Sequence, residues 1–219
     1  MNPPRLILAS GSAIRAAILR NAGVAFTAEK PAVDEAAVKR AMEGEDLEKV
    51  AMALAEAKAL AVRAPGLPSP KRSRPHCELS KDGFAQAGDF VLGSDQILEF
   101  EGRAFDKAGT MAEARARLLE LQGRSHTLIN AAAIAQDGAI VFRHFARPRL
   151  FMRALTAGEI DAYLNKAGEE VLQSVGAYQI EGLGAQLFER IEGDYFAVLG
   201  LALFPVLGFL RSHGMDPFR

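Results

Sequence analysis

The chain has 219 residues, of which 49% are hydrophobic and 24% are charged, and its formal net charge is −1. This size and composition predict one domain, over residues 1–219, with a sizeable core, and the balanced charge excludes a global attraction to nucleic acid polymers or acidic membranes. A single cysteine, Cys77, excludes an internal disulfide framework and favours a reducing compartment.

Neither end of the sequence carries a recognisable targeting or membrane segment. The apolar run after Arg5 is too short for a secretory signal. The apolar stretch at 196–210 is interrupted by Pro205 and is shorter than the roughly 20 residues that a membrane span needs. We therefore expect a buried turn and helix there, and a cytoplasmic protein without a membrane partner.

Apolar patterning predicts a strand, two helices and a loop in the first part of the chain. Residues 5–9 predict a short buried strand, the helical period after it stops near Gly23, and a second helix is predicted over 46–64. Residues 65–89 contain four prolines and no apolar period, which predicts a long mobile loop. Its KRSR stretch suits either a solvated loop or a basic recognition patch.

The rest of the chain alternates strands with helices. Strands are predicted at 90–100, 127–135, 139–145 and 185–193, with the first of them broken at Gly93 and Ser94, and helices begin at the capping boxes 110–113 and 156–159. Because helices interleave with single strands and with strand pairs, we predict an α/β fold with a mixed sheet.

The segment SGSAIR, residues 10–15, lies between the first strand and the first helix. Its small residues let the backbone approach an anion, which the free N–H groups and the dipole of a helix N-terminus attract. Arg15 can donate two parallel hydrogen bonds to phosphate oxygens. The alternative is that Ser12 only caps the helix and that Arg15 lies on the surface.

A carboxylate interrupts an apolar strand at GSDQ, residues 93–96. Burying a charge is costly unless a partner or a reaction uses it, so Asp95 is the best candidate for a catalytic or metal-binding acid. The alternative is a turn aspartate on an edge strand. The adjacent acids Asp34 and Glu35 suit either a hard cation such as Mg²⁺ or a solvated turn.

Two lysines and a glycine-rich segment complete the candidates. Lys58 and Lys107 suit either phosphate neutralisation or ordinary surface positions. Several glycines and carboxylates in 176–195 indicate tight turns or close approach to a ligand. The four histidines show no metal-ligand spacing.

Seven short motifs, in order along nearly the whole chain outside 65–89, resemble those of the Maf family of nucleoside triphosphate pyrophosphatases. They are SGSAIR, DE at 34–35, LAEAKA at 54–59, GSD at 93–95, DK at 106–107, QGRSH at 122–126, and the pair VGAYQIEG and GDYFAVLGLAL within 175–203. Each motif is weak alone, and their shared order carries the resemblance.

The resemblance implies cleavage of a nucleoside triphosphate between its α- and β-phosphates, with release of a monophosphate and pyrophosphate. It implies a divalent metal cation, Mg²⁺ or Mn²⁺, as cofactor. It also implies a single α/β domain with an elongated mixed central sheet flanked by helices, a nucleotide-binding cleft beside that sheet, and a homodimer.

The resemblance further implies roles for individual residues. Asp95 matches the general base that activates water, and Glu35 together with Asp95 matches the metal-associated carboxylates. The phosphate-handling positions are matched by Ser10, Arg15, Lys58 and Lys107.

Three positions bear on the nucleobase. Members that prefer dTTP and UTP have an arginine, a threonine and a glutamine where this chain has Ile14, Gln96 and Glu181. The residues present resemble those of the branch associated with 7-methyl-GTP. A glutamate can accept hydrogen bonds from guanine N1–H and N2–H₂, and it favours the positive charge that N7 methylation adds. The alternative is that Glu181 pairs with a nearby cation and supports the glycine-rich turn.

Other functions remain open from the sequence. The stretch GAYQI resembles the dTTP/UTP branch, Ser174 replaces a lysine common there, and Ala13 replaces the proline of the first motif. A metal-dependent phosphatase that releases orthophosphate is a further possibility, as is a nucleotide-binding regulator of septum formation. The presence of Asp95 and Glu35 with both lysines argues against a chain that only binds.

Overall fold

A mixed sheet of eight strands runs through the computed structural model, which describes residues 4–62 and 88–218. The strands are β1 (Leu6–Ala9), β2 (Phe26–Glu29), β3 (Phe90–Phe100), β4 (Arg103–Phe105), β5 (Ser125–Gln136), β6 (Ala139–Ala146), β7 (Arg149–Met152) and β8 (Phe188–Glu192). Their order is β2-β1-β3-β5-β7-β8, with β4 beside β3 and β6 beside β5. β1 is parallel to β2 and β3, whereas β3, β5, β7 and β8 pair antiparallel in turn.

Seven α-helices flank this sheet within the described ranges. They are α1 (Ala13–Asn21), α2 (Glu35–Ala41), α3 (Leu47–Ala61), α4 (Met111–Leu121), α5 (Ala157–Ala167), α6 (Tyr195–Val198) and α7 (Leu203–Ser212). Short 3₁₀ helices occupy Gly168–Gln173 and Leu183–Leu187. The predicted α/β fold with a mixed sheet is confirmed.

Helices cover both faces of the sheet at its centre, which explains why β1 is apolar throughout. Leu6 and Leu8 belong to the cluster that includes α1 and α7, whereas Ile7 and Ala9 pack with Ala59 of α3. All four β1 residues are buried. A strand covered on both faces reads as a continuous apolar run rather than as an alternating one.

The predicted break in the third strand is wrong, because β3 runs unbroken from Phe90 to Phe100. A Cβ atom at Gly93 would lie 2.1 Å from the carbonyl oxygen of Ala55 in α3. The glycine therefore allows α3 to approach the strand closely instead of ending the strand.

The solvated turn considered for Asp34 and Glu35 is also wrong, because the two residues begin a helix. Asp34 caps α2, its side chain accepting a hydrogen bond from the backbone N–H of Ala37 at 2.9 Å, and Glu35 is the first helical residue. None of the residues of α2 is buried, so the sequence contains no apolar stripe that would predict this helix. The edge strand β2 was missed for the same reason, since three of its four residues are exposed.

The C-terminal apolar stretch folds as predicted into a turn and a helix. Pro205 lies in the first turn of α7, where a missing backbone N–H costs no helical hydrogen bond. Among the described helices, none has both the length and the apolar character needed to cross a membrane.

The predicted 65–89 loop, with Cys77 and the KRSR stretch, lies outside the described residues except at its last two positions. Of these, Asp89 forms an ion pair with Arg5, with Nη2 and Oδ2 2.7 Å apart.

Candidate active site

A cleft of about 1390 Å³ opens where β1 leads into α1 and where α3 crosses β3. Asp34, considered with Glu35 for a cation, does not line the cleft, whereas nine other site candidates from the sequence do: Ser10, Ile14, Arg15, Glu35, Lys58, Asp95, Gln96, Lys107 and Glu181. These residues are far apart in the chain, so only the fold brings them to one surface.

A buried lysine, a buried carboxylate and an exposed carboxylate meet in the cleft. The ammonium Nζ of Lys58 donates to Asp95 Oδ1 at 2.6 Å and lies 2.9 Å from Glu35 Oε1. Lys58 and Asp95 are each only 7% exposed. Asp95 Oδ2 makes no hydrogen bond with any residue in the described ranges, so this oxygen can accept a proton from a ligand or from water.

A buried polar network holds the strand segment that carries Asp95. The Asn130 amide donates to the main-chain oxygen of Asp95 at 3.2 Å, and its oxygen accepts from the N–H of Ala202 at 3.0 Å. The Ser94 hydroxyl donates to the Gly200 carbonyl at 2.9 Å. Sequence analysis missed these supporting residues, although an asparagine inside the apolar stretch TLINAAAIA is the signal that could have found Asn130.

The corner at residues 10–15 combines a helix cap with a cation. The Ser12 hydroxyl accepts from the Arg15 N–H at 3.4 Å, so Ser12 caps α1 as the alternative interpretation held. The surface position considered for Arg15 is wrong, because its Nε donates to the Gly200 carbonyl at 2.7 Å and its Nη1 to Ser10 Oγ at 3.3 Å. Burial lowers the pKa of Arg15, and the nearby carboxylates of Asp95 and Glu35 offset only part of this effect.

Lys107 contributes a further cation to the cleft from the loop after β4. Partial desolvation by the cleft wall lowers its pKa, and the positive charges of Arg15 and Lys58 lower it further, while Glu35 and Asp95 raise it. Within the part of the chain that the structure describes, Lys107 makes no ion pair. Its neighbour Asp106 is instead paired with Lys39 of α2, across the same cleft.

The charges at this end of the cleft favour an anionic ligand. Lys58 is compensated by two carboxylates, whereas no carboxylate in the described ranges lies within ion-pair distance of Arg15 or Lys107. The N-terminus of α1 adds its dipole and free N–H groups to these cations. The arrangement can therefore bind a multiply charged phosphate group beside a carboxylate that has one free oxygen.

The three positions considered for base recognition line the same cleft with different surroundings. The Gln96 amide donates to the carbonyls of Ala197 and Val198 at 3.1 Å each. Glu181 is exposed and makes no hydrogen bond or ion pair with any described residue, so the pairing with a cation that was considered for it is not found there.

The residues present suit a divalent cation that binds together with a triphosphate. In residues 4–62 and 88–218, no three His, Cys, Asp or Glu side chains cluster as a metal site. Asp95 and Glu35 nevertheless present hard oxygen donors to the same ammonium. Because Mg²⁺ commonly uses one or two carboxylates, with water and substrate phosphates as its other ligands, this donor set fits such an ion.

Fold and cleft together define an α/β protein in which a corner lined with cations lies next to a carboxylate–lysine centre. The family model described as Maf-like protein matches residues 5–213, and the chain belongs to the Maf family. The resemblance inferred from the seven motifs is therefore confirmed.

Curated relatives match the chain over almost its whole length. A "Nucleoside triphosphate pyrophosphatase" of Caulobacter vibrioides is 44% identical over 211 residues, which cover 94% of each chain. A protein with the same name from Nitrobacter hamburgensis is 44% identical, and the match covers 97% of this chain and 96% of the relative. A "7-methyl-GTP pyrophosphatase" of Rhizobium meliloti is 43% identical over 214 residues, with 96% of this chain and 97% of its own covered.

Proposed function

We propose that the protein is a nucleoside triphosphate pyrophosphatase, which hydrolyses its substrate between the α- and β-phosphates to a monophosphate and pyrophosphate. The observation that carries the proposal is the buried Asp95 carboxylate, held by Lys58 at 2.6 Å beside a corner of the cleft lined with cations. The names of the relatives from Caulobacter and Nitrobacter support it.

The proposed chemical step uses Asp95 as a general base. Its oxygen Oδ2 accepts a proton from a water molecule while the water oxygen forms a bond to the α-phosphorus. The bond between the α-phosphorus and the bridging oxygen breaks, and pyrophosphate leaves with the electron pair. Lys58 keeps Asp95 in place, and Asn130 fixes the backbone that carries it.

Cations and hydrogen-bond donors hold the phosphates during this step. Arg15, Lys107 and Ser10, with the N-terminus of α1, bind phosphate oxygens and neutralise the charge that accumulates on the leaving group. Asp95 and Glu35 would hold a Mg²⁺ or Mn²⁺ ion, which polarises phosphoryl oxygens when bound. The two carboxylates that converge on Lys58 support this assignment.

For the base we propose 7-methylguanine or a similar modified purine. The free carboxylate of Glu181 suits the donors of guanine and the positive charge of a base methylated at N7. Ile14 supplies an apolar wall, and Gln96 steadies the backbone at 197–198. The name of the relative from Rhizobium meliloti supports this choice, and a dTTP or UTP pyrophosphatase is the alternative.

A homodimer is also part of the proposal. Val141 and Phe145 lie on the outward face of β6 and are 45% and 39% exposed, which supports contact with a second copy. Light scattering at micromolar concentration would measure the mass, and a monomer under these conditions would contradict this part of the proposal.

A nucleotide panel with product analysis tests the function. Purified protein is incubated with Mg²⁺ and each of GTP, 7-methyl-GTP, UTP and dTTP, and pyrophosphate and orthophosphate are measured separately. We expect pyrophosphate, with 7-methyl-GTP as the best substrate of the four. Orthophosphate as the product would identify a phosphatase instead, and an inactive Asp95→Asn protein that fully restores a deletion strain would favour a binding role.

A further inference from the structure

A second, smaller cavity of about 290 Å³ lies directly beside the cleft, and we call it the side pocket. The two cavities share four lining residues, Ile14, Ala17, Glu181 and Leu199. The side pocket extends beyond them to Ile18, Asn21, Ala22, Phe196 and Leu203. A ligand in the cleft can therefore reach into the side pocket past Glu181.

The walls of the side pocket are apolar, and its one ionisable lining residue is the carboxylate at its mouth. Apart from Glu181, the lining consists of alkyl and aromatic side chains and the single amide of Asn21. No described cation neutralises Glu181. A carboxylate in this position attracts a positively charged group, whereas the cavity behind it favours a group without charge or hydrogen-bonding atoms.

The side pocket is also larger than a methyl group requires. An apolar cavity of about 150 Å³ can bind benzene, so a cavity of about 290 Å³ has room for a ring-sized substituent. The ligand chemistry that fits both features is an apolar substituent on a cationic nitrogen of a planar base.

We propose that the side pocket is a subsite for the N-alkyl substituent of a cationic nucleobase. The substrate class then extends from 7-methyl-GTP to purine nucleoside triphosphates with larger alkyl or arylalkyl groups on N7. Glu181 faces the positive charge of the base, and Phe196 with Leu203 surrounds the substituent. This inference rests on the proposed function.

A series of substrates tests the inference on the unmodified protein. Pyrophosphate release from GTP, 7-methyl-GTP, 7-ethyl-GTP and 7-benzyl-GTP gives kcat/KM for each. We expect 7-ethyl-GTP and 7-benzyl-GTP to be hydrolysed at least as efficiently as 7-methyl-GTP, because their substituents fill apolar space. Hydrolysis of 7-methyl-GTP with rejection of 7-benzyl-GTP by more than about 10-fold would overturn the inference.

Ala22 is the position for a test variant, because it lines the side pocket and not the cleft. Ala22→Leu fills part of the pocket and should lower kcat/KM for 7-benzyl-GTP about 10-fold or more, with 7-methyl-GTP little changed. The control is the same substitution at Ala157, an exposed residue of α5 that lines neither cavity, and Ala157→Leu should behave as the unmodified protein. An equal loss for both substrates in Ala22→Leu would contradict the inference.

The same data separate a failure of the inference from a failure of the proposed function. Pyrophosphate from UTP but from no 7-alkylated nucleotide would overturn the subsite and the choice of base, while the pyrophosphatase activity would stand. Absence of pyrophosphate from every nucleotide would overturn the proposed function itself.

Discussion

The two ends of the cleft differ in how firmly their functional side chains are held. At the end that we propose binds the phosphates, called the phosphate end, Asp95 and Lys58 are each 7% exposed and hydrogen-bonded to one another, and a strand and a helix of the core carry them. At the end that we propose binds the base, called the base end, Glu181 is exposed in a turn and is hydrogen-bonded to no described residue. Substitutions at the phosphate end should therefore lower turnover of every nucleotide, whereas substitutions at the base end should change the ratio between nucleotides.

Asp95→Asn gives the largest expected effect and tests the phosphate end. An amide cannot take a proton from water in the way a carboxylate does, and losing a general base costs about 10²–10⁴-fold in rate. Steady-state pyrophosphate release should fall by this factor for every nucleotide in the panel.

A matched control for Asp95 is Asp161→Asn. Asp161 is a partly exposed aspartate of α5 that pairs with Arg115 and does not line the cleft. It should retain activity close to that of the unmodified protein. An Asp95→Asn protein with half of the normal activity would contradict the role of Asp95.

Glu181→Gln tests the base end. The glutamine amide of this variant has one acceptor oxygen where the carboxylate has two, so one hydrogen bond to guanine is lost. This loss costs roughly 1–3 kcal/mol, or about 5–150-fold in relative kcat/KM. We expect kcat/KM for 7-methyl-GTP to fall more than that for UTP, which presents two carbonyl acceptors around one N–H. Equal losses across the panel would show that Glu181 supports the turn without reading the base.

Glu35→Gln sharpens the comparison by testing the metal-associated carboxylate at the phosphate end. A neutral amide is a weaker ligand for a hard cation, so the Mg²⁺ concentration for half-maximal activity should rise about 10- to 100-fold. Chelation with EDTA should abolish turnover of all nucleotides, and added Mn²⁺ or Mg²⁺ should restore it.

The control for Glu35 is Glu29→Gln, an exposed position at the end of β2 that does not line the cleft. Its metal dependence should match that of the unmodified protein. Full activity in the presence of EDTA would contradict the requirement for a divalent cation.

The smallest expected effect concerns the contact between Tyr178, which precedes Glu181 by three residues, and His126 of β5. His126 Nε2 on β5 and the hydroxyl of Tyr178, which lines the cleft, are 2.6 Å apart. Burial lowers the pKa of His126 from its ordinary value of 6.5 to about 4. Between these two values the unfolded chain binds more protons than the folded protein does, so stability decreases as the pH falls from 6.5 towards 4.

From pH 7 to pH 5 this histidine should lower the free energy of unfolding by about 2 kcal/mol. Urea unfolding at both values, with the unmodified protein and with His126→Gln, measures the contribution. The variant should lose that part of the pH dependence, and equal pH dependence in both proteins would contradict the role of burial at His126.

Local sequence signals predicted the elements of the core well and the edge elements poorly. The capping box at Thr156 is present, its side chain bonding the Glu159 N–H while the Glu159 carboxylate bonds the Thr156 N–H. These bonds span three residues, so the sequence alone displays them. β2 and α2 bury little or nothing, and a segment without an apolar face carries no periodic signal.

The candidate site likewise combines a residue that the sequence predicted with a contact that it did not. A charge inside an apolar strand is visible in the sequence and singles out Asp95, because such a residue requires a partner. The identity of the partner depends on the packing of α3 against β3, which brings Lys58 to 2.6 Å. Neither the spacing nor the composition of the chain indicates this distance.

The sequence by itself determined the family, the α/β class and a set of site candidates, because motif order, periodicity and caps are properties of neighbouring residues. Only the tertiary structure decided that Arg15 turns inward to Gly200, 185 residues away, and that a side pocket forms behind Glu181 from α1, Phe196 and Leu203. The physical reason is that such contacts arise from the way distant segments pack to bury apolar surface, and no local pattern encodes which segments meet.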